Sequence, residues 1–141
     1  MKPLLTPLEE ESLVAAIREQ ELRTSAEIRV CVSYKWIWRH ERYAWKVFER
    51  NGMRQTRHRN GTLIVMMPRM RKVVVIGDKG FDEVVPPAFW RGAVDAMVRK
   101  LHAENPLEAL RLGLGILGDE LSRHWPREEG DVNELPDEII R

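Results

Sequence analysis

The sequence is poor in cysteine and in long apolar runs. Its 141 residues contain one cysteine, Cys31, which excludes an internal disulfide and a cysteine-based metal cage. Cys31 lies in an apolar segment, so we expect a buried and unreactive thiol. No apolar stretch approaches the roughly 20 residues that a membrane-spanning helix needs. The N-terminal segment MKPLLTPLEEE has no signal-peptide core. We therefore expect a single domain in the reducing cytoplasm, without a transmembrane segment.

The sequence also lacks a net charge of either sign, although its charges are unevenly placed. The formal net charge is +1, from 23 basic and 22 acidic residues, so nucleic acid is not the expected partner. Residues 35–60 contain eight Lys or Arg against two Glu, whereas residues 128–140 contain six acids and no base. We expect residues 1–126 to form the domain. The acidic C-terminal tail, residues 127–141, would either dock as an extended peptide or stay loose.

The basic segment also contains aromatic residues. Such a segment could bind nucleic acid, a protein or an anionic surface through the basic face of a helix over residues 38–51. The other interpretation puts Trp38, Trp45 and Phe48 partly in the core and leaves the charges in water. The sequence leaves both interpretations open.

Helix and strand signals alternate along the chain. Thr6, Pro7 and Glu9 have the arrangement of a capping box with proline at the first helical position. Further segments predict three strands (27–33, 61–68 and 71–78), a helix over 38–51, and helices opening at Pro86-Pro87 and at Asn105-Pro106. The order αβαββαα predicts an α/β fold, a three-layer αβα sandwich with a small mixed sheet flanked by helices. The helical crossover makes the first two strands parallel, and the short hairpin makes the third antiparallel.

These strand directions bring several polar residues to one end of the sheet. The first two strands begin near Glu27 and Asn60, and the third ends at Asp78, with Asp82 and Glu83 soon after it. Hard cations prefer carboxylate, amide and carbonyl oxygens. These five residues, which we call the carboxylate rim, are therefore candidate ligands for a divalent cation, calcium first and magnesium second. The alternative is that Asp78 forms a turn, while Asp82 and Glu83 favour the N-terminus of the next helix.

Several enzyme and cofactor motifs are missing. The segment GLGILG, residues 113–118, lies within a predicted helix, so it does not fit a dinucleotide-binding turn. No Arg lies six residues after Cys31, and Lys79 and Gly80 follow Asp78, so neither type of phosphatase nucleophile is present. The sequence identifies no catalytic residue, and metal-assisted hydrolysis would have to use the rim carboxylates.

Four segments carry a resemblance to a known family. They are RTSAEIRV, FERNGMRQTRHRNGTLIVMMP, VVVIGDKGFDEVVPPAFW and DVNELPDEI. Together and in this order they resemble the stand-alone bacterial members of the TPM domain family, from Leu5 to about Ile139. The resemblance implies an α/β sandwich and a divalent cation, and acid phosphatase activity has been proposed for some members. Many relatives have an Asp before the Asn-Gly that opens the second strand. Arg59 stands there in this chain, and we expect it to repel a cation.

Three functional hypotheses follow from the sequence. The leading one is a TPM-like domain, of unsettled cellular role, that binds a divalent cation weakly at the carboxylate rim. The second is an interaction module for an unidentified protein or an anionic surface, acting through the basic face of helix 38–51. The third is a metal-dependent acid phosphatase. We expect the chain to be a monomer.

Overall fold

The computed structural model describes residues 3–128, 130 and 137–141. The helices are α1 (Pro7–Glu21), α2 (His40–Arg50), α3 (Lys79–Asp82), α4 (Pro87–Ala103) and α5 (Pro106–His124). The strands are β1 (Ile28–Val32), β2 (Thr62–Met67) and β3 (Lys72–Gly77), with a single 3₁₀ turn, Pro68–Met70, between β2 and β3. The predicted order is confirmed, except that the one-turn helix α3 was not predicted.

The predicted helix caps are formed by local hydrogen bonds. The Thr6 hydroxyl accepts from the Glu9 amide at 3.1 Å, and the Glu9 carboxylate accepts from the Thr6 amide at 3.0 Å. At the start of α5, the Asn105 side chain accepts from the Glu108 amide at 2.9 Å. Each cap satisfies amide groups that a helix cannot pair internally. Both helix starts are thus determined by residues three positions apart.

The sheet has the predicted topology, with strand order β1-β2-β3. β1 and β2 are parallel, with Ile28 opposite Thr62, and β2 and β3 are antiparallel, with Thr62 opposite Gly77. The starts of β1 and β2 and the end of β3 therefore lie at one end of the sheet. Val32, Met67 and Lys72 mark the other end.

Helices cover both faces of the sheet, as the three-layer prediction requires. Alternate strand residues such as Val30 and Ile64 pack with α1, α4 and α5, whereas Cys31 and Leu63 pack with α2. Helices α4 and α5 approach closely because Gly113 lies against Met97, where a Cβ would be only 2.5 Å from the sulfur. The GLGILG segment is therefore part of helix packing, as predicted.

The tryptophans before and within α2 differ from one another in burial. Phe48 is fully buried and Trp45 is half-buried, but Trp38 is 95% exposed. The interpretation that places these three side chains partly in the core is therefore wrong for Trp38 and right for Trp45 and Phe48. The reason is that α2 begins at His40, two residues later than predicted, which leaves Trp38 in the preceding loop.

The last residues of the chain lie against the outer edge of β1. The Ile140 amide donates to the Val30 carbonyl, and the Val32 amide donates to the Ile140 carbonyl, both at 2.9 Å. Ile140 is buried, and Asp137 pairs with Arg18 at 2.7 Å. Residues 137–141 thus dock as an extended peptide, one of the two alternatives considered. Residues 129 and 131–136 of the predicted tail lie outside the described residues.

Candidate functional site

Asp78 occupies the end of β3 at the predicted rim. Its amide donates to the Gly61 carbonyl at 2.8 Å, which continues the pairing with β2 by one residue. Its carboxylate accepts from the Lys79 amide at 2.8 Å and so caps α3. Asp78 is therefore both the turn former that the alternative interpretation described and a buried carboxylate that faces a surface groove.

Arg59 forms a two-pronged ion pair with Asp78. Its Nε donates to Oδ2 at 2.7 Å and its Nη2 to Oδ1 at 2.9 Å. The Asp78 side chain is 4% exposed and that of Arg59 is 33% exposed. The hydrogen bonds to Asp78 raise the pKa of the Arg59 guanidinium. The carboxylate at the centre of the rim is thus already neutralised by the protein's own cation.

The backbone holds Arg59 in an unusual conformation. Its φ of +50° lies in the left-handed region, which is uncommon for a residue other than glycine. The Arg59 carbonyl accepts from the Gly80 amide at 2.8 Å, which joins the segment before β2 to α3. A Cβ on Gly80 would lie 2.2 Å from the His58 carbonyl oxygen, so this close approach requires glycine. The geometry keeps the Arg59 side chain beside Asp78.

The other four rim residues are not equivalent. Asp82 lies one helical turn after Asp78, lines the same groove, and accepts from Trp90 Nε1 at 2.9 Å. Glu83 is exposed at the end of α3 and does not line the groove. The structure therefore brings Asp82, but not Glu83, to the groove beside Asp78.

Glu27 and Asn60 are buried near the strand starts. Glu27 and Asp78 are separated by β2, so their backbones lie about 10 Å apart, twice the spacing of neighbouring strands. Asn60 Nδ2 is buried and has no hydrogen-bond partner among the residues that the structure describes. These two side chains are near the rim, but they do not join Asp78 and Asp82 in the groove.

The arrangement fits a divalent cation only in part. Within residues 3–128, 130 and 137–141, no three His, Cys, Asp or Glu side chains are grouped as metal ligands. Asp78 and Asp82 face one groove, but both oxygens of Asp78 are engaged by Arg59. These two carboxylates suit a largely hydrated ion that takes the place of Arg59, rather than an ion enclosed by protein ligands.

The groove runs along β3 between α2 and α4 and has a volume of about 830 Å³. We call it the β3 groove. His40, Glu41 and Trp45 line it on the α2 side, and Trp90 and Asp95 line it on the α4 side. The Trp90 ring lies directly over the end of β3, because a Cβ at Gly77 would be 2.4 Å from its Cη2 atom. Gly77 thus makes room for the aromatic wall of the groove.

The β3 groove has few side chains that could act in catalysis. Its lining, within the part of the chain that the structure describes, includes no Ser, Thr or Cys. Cys31 is fully buried on the α2 face of the sheet, and burial raises the pKa of its thiol to about 11. The expectation of a buried thiol is confirmed. The groove can bind a ligand through charge and aromatic contacts, but it presents no activated nucleophile.

The sequence predicted Arg59 near the rim, but not its ion pair with Asp78 or the position of Trp90. In the antiparallel pairing of β2 and β3, Asn60-Gly61 lies next to Gly77-Asp78. This pairing could have predicted that Arg59, next to Asn60, lies beside Asp78. Nothing in the local sequence pointed to Trp90, which reaches the groove only because α4 packs against β3. The ion pair and the aromatic wall are therefore products of the tertiary structure.

Comparison with known proteins places the fold in a family. A TPM domain profile matches residues 2–120. The solution structure of the BA42 protein from the psychrophilic bacterium Bizionia argentinensis aligns with a TM-score of 0.92 and 32% identity, over 99% of this chain and 97% of that one.

A second structure, the N-terminal domain of a protein from P. gingivalis, shares the fold with a TM-score of 0.68. Its identity is 21%, and the alignment covers 86% of this chain and 79% of that one. No curated protein matches the chain. No helix in the described part of the chain is long and apolar enough to cross a membrane. The resemblance seen in the sequence is thus confirmed, and the chain belongs to the TPM domain family.

Proposed function

We propose that this domain binds a divalent cation weakly, calcium in preference to magnesium, at the end of the β3 groove where Asp78 and Asp82 lie. One observation carries the proposal. A carboxylate whose side chain is only 4% exposed has its charge balanced by a single arginine that is one-third exposed. A cation that enters from the groove can therefore take over the role of the arginine without leaving Asp78 buried and unpaired.

The binding is weak because the ion must displace Arg59 and finds few protein ligands. Calcium takes six to eight oxygen ligands, and two carboxylates supply a minority of them, so water supplies most of the rest. Open sites of this kind hold calcium at about 10⁻⁴ to 10⁻³ M. Calcium is preferred because it tolerates irregular coordination, whereas magnesium demands near-ideal octahedral geometry.

The remaining rim residues have an outer role in this proposal. Glu27 and Asn60 are buried near the strand starts and act through the local electrostatic field or through water. Glu83 is exposed beside the groove and adds long-range attraction. A cytoplasmic monomer is the setting we propose, in keeping with the one buried thiol.

Amide chemical shifts during a calcium titration of the whole chain test the proposal. The shifts should saturate at millimolar calcium and be concentrated in residues 77–84 and at Trp90, whose indole N–H donates a hydrogen bond to Asp82. Asp78→Asn should abolish them. Asp95→Asn, which removes an exposed carboxylate elsewhere in the β3 groove, is the matched control and should retain them.

Two results of the titration would contradict the proposal. Saturable shifts confined to residues 128–138 would move the site to the acidic C-terminal segment. Shifts that survive unchanged in Asp78→Asn would also exclude Asp78 as a ligand. Turnover of a small phosphomonoester by the same samples, present with a divalent ion and lost in Asp78→Asn, would support the third hypothesis, a metal-dependent phosphatase.

A further inference from the structure

Two tryptophans project from the end of the sheet opposite the carboxylate rim. Trp36 is 68% exposed and Trp38 is 95% exposed. Both lie in residues 33–39, the loop that joins β1 to α2, which we call the tryptophan loop. Large aromatic side chains usually bury most of their surface, so two exposed ones in three residues mark an interaction surface.

A row of basic residues extends from this loop along α2. Arg39, Arg42, Lys46 and Arg50 are all exposed and recur at helical spacing, so they lie on one face, which we call the basic ridge. Neighbouring members of the ridge line the same shallow surface depressions. None of the four forms an ion pair with any other residue of the described chain. Their charges are therefore free to meet an anionic partner.

The hairpin between β2 and β3 adds positive charge at the same end of the sheet. Residues 68–72 read PRMRK, and the Arg69 guanidinium lies over the Trp36 ring, 5.8 Å from its centroid. Neither this hairpin nor the tryptophan loop contains an acidic residue. The cation–π contact holds the two loops together as one surface.

In the part of the chain that the structure describes, the nearby acidic side chains do not pair with the ridge residues. Glu41 lines the β3 groove. Glu49 lines the same depression as Arg42, Lys46 and Arg50, but its charge is balanced by an ion pair with Arg54. At the start of α1, on the other face of the sheet, Glu10 pairs with Arg141 at 2.6 Å. The tryptophan loop and the basic ridge thus form a continuous surface that is aromatic at one end and positively charged along its length.

We propose that the tryptophan loop and the basic ridge dock this domain on an anionic lipid bilayer. Indole rings are stable at the depth of lipid headgroups, where their apolar and polar parts are both satisfied. Lysines and arginines beside them bind anionic headgroups. Both tryptophans are mostly exposed, and neither lines the β3 groove or the two depressions along the ridge in the described part of the chain. Exposed rings of this kind favour a bilayer over a base or a peptide side chain that would stack in a slot. This docking is independent of the cation site, which lies at the other end of the sheet.

Co-sedimentation with lipid vesicles tests the proposal. The whole chain should bind vesicles of phosphatidylcholine that contain about one-third phosphatidylserine, and should bind pure phosphatidylcholine at least tenfold less well. Each basic residue near such a surface contributes about a fivefold change in affinity. Arg42→Glu combined with Lys46→Glu should therefore weaken binding by about 25-fold or more. Trp36→Ser combined with Trp38→Ser should weaken it by about tenfold.

A matched control distinguishes the effect of the basic ridge from the effect of the protein's net charge. Arg99→Glu with Arg111→Glu makes the same change in charge on exposed residues of α4 and α5, and it should leave vesicle binding within about twofold of the unchanged chain. Because all substituted residues are exposed, circular dichroism should show that every variant is folded.

Three results would overturn the proposal. The first is equal binding to neutral and anionic vesicles. The second is vesicle binding that is reduced as much by the control as by the ridge variant. The third is absence of binding to anionic vesicles, whether or not a single-stranded oligonucleotide is bound. Loss of binding in about 0.5 M salt would support the electrostatic part of the mechanism.

Discussion

Replacing Arg59 with asparagine tests the coupling between the internal ion pair and a bound cation. The change removes the counter-ion of Asp78, whose side chain is 4% exposed. Asparagine is chosen because it tolerates the left-handed conformation that residue 59 adopts, with φ of +50°. The backbone around Gly80 should therefore keep its arrangement.

The magnitude without cation follows from the geometry of the pair. Leaving a buried group without its charged hydrogen-bond partner costs about 1.5–3 kcal/mol. Removing one partner of a fully buried ion pair costs more, about 3–5 kcal/mol. Because Arg59 is one-third exposed, the lower range applies here. Relief at the left-handed position offsets about 1 kcal/mol at most. We expect a net loss of about 2 kcal/mol, which lowers the melting temperature by about 7 °C in a domain of this size.

Calcium should reverse most of this loss. Removing a positive charge beside a divalent ion strengthens binding by about 1–2 kcal/mol, roughly tenfold in affinity. With a dissociation constant of about 10⁻⁴ M, calcium at about 10 mM stabilises the variant by about 2.7 kcal/mol. The unchanged chain, with a constant of about 10⁻³ M, gains about 1.4 kcal/mol. The gap between the two melting temperatures should therefore narrow by about half or more.

Differential scanning calorimetry with and without calcium measures both effects, at ionic strength matched with sodium chloride. Arg57→Asn is the control, because Arg57 is exposed, lies two residues away and carries the same charge. It should change neither the stability nor the response to calcium. An Arg59→Asn variant that loses no stability without calcium would refute the role of the ion pair. An equal calcium response in all three proteins would refute the competition between Arg59 and the ion.

Three further predictions concern the thiol, the groove wall and the C-terminal segment. Because burial raises the pKa of Cys31 to about 11, the unfolded chain ionises first as pH rises. Relative to Cys31→Ala, the free energy of unfolding should be unaffected below about pH 9 and should fall by about 2–3 kcal/mol towards pH 11. If urea unfolding gives the same pH dependence for the two chains, this prediction is wrong. Gly77→Ala should displace Trp90 and alter its fluorescence, whereas Gly92→Ala, which meets no atom within 4 Å, should not; identical spectra would exclude the predicted clash. Deleting residues 137–141 should cost about 3 kcal/mol in urea unfolding, from the burial of Ile140 and two backbone hydrogen bonds, and an unchanged midpoint would mean that the segment does not stabilise the fold.

The longer helices, the strands and the strand directions could be predicted from local sequence patterns alone. The Thr6–Glu9 capping box involves residues that are already neighbours in the unfolded chain, so its pattern could be recognised directly. The long crossover between β1 and β2 and the short hairpin between β2 and β3 set the strand directions for the same local reason. These directions placed Glu27, Asn60 and Asp78 at one end of the sheet, as the structure shows.

The contacts of each rim residue depend on how distant segments pack together. Arg59 and Asp78 are 19 positions apart and meet because two strands pair in one register. Trp90 reaches Gly77, and Ile140 reaches Cys31, only through the packing of a helix and of the chain end against the sheet. The exposure of Trp38 depends on where α2 begins, two residues from the predicted start. Such contacts depend on side-chain packing among distant segments, and no local pattern encodes them, because many packings satisfy the same periodicity.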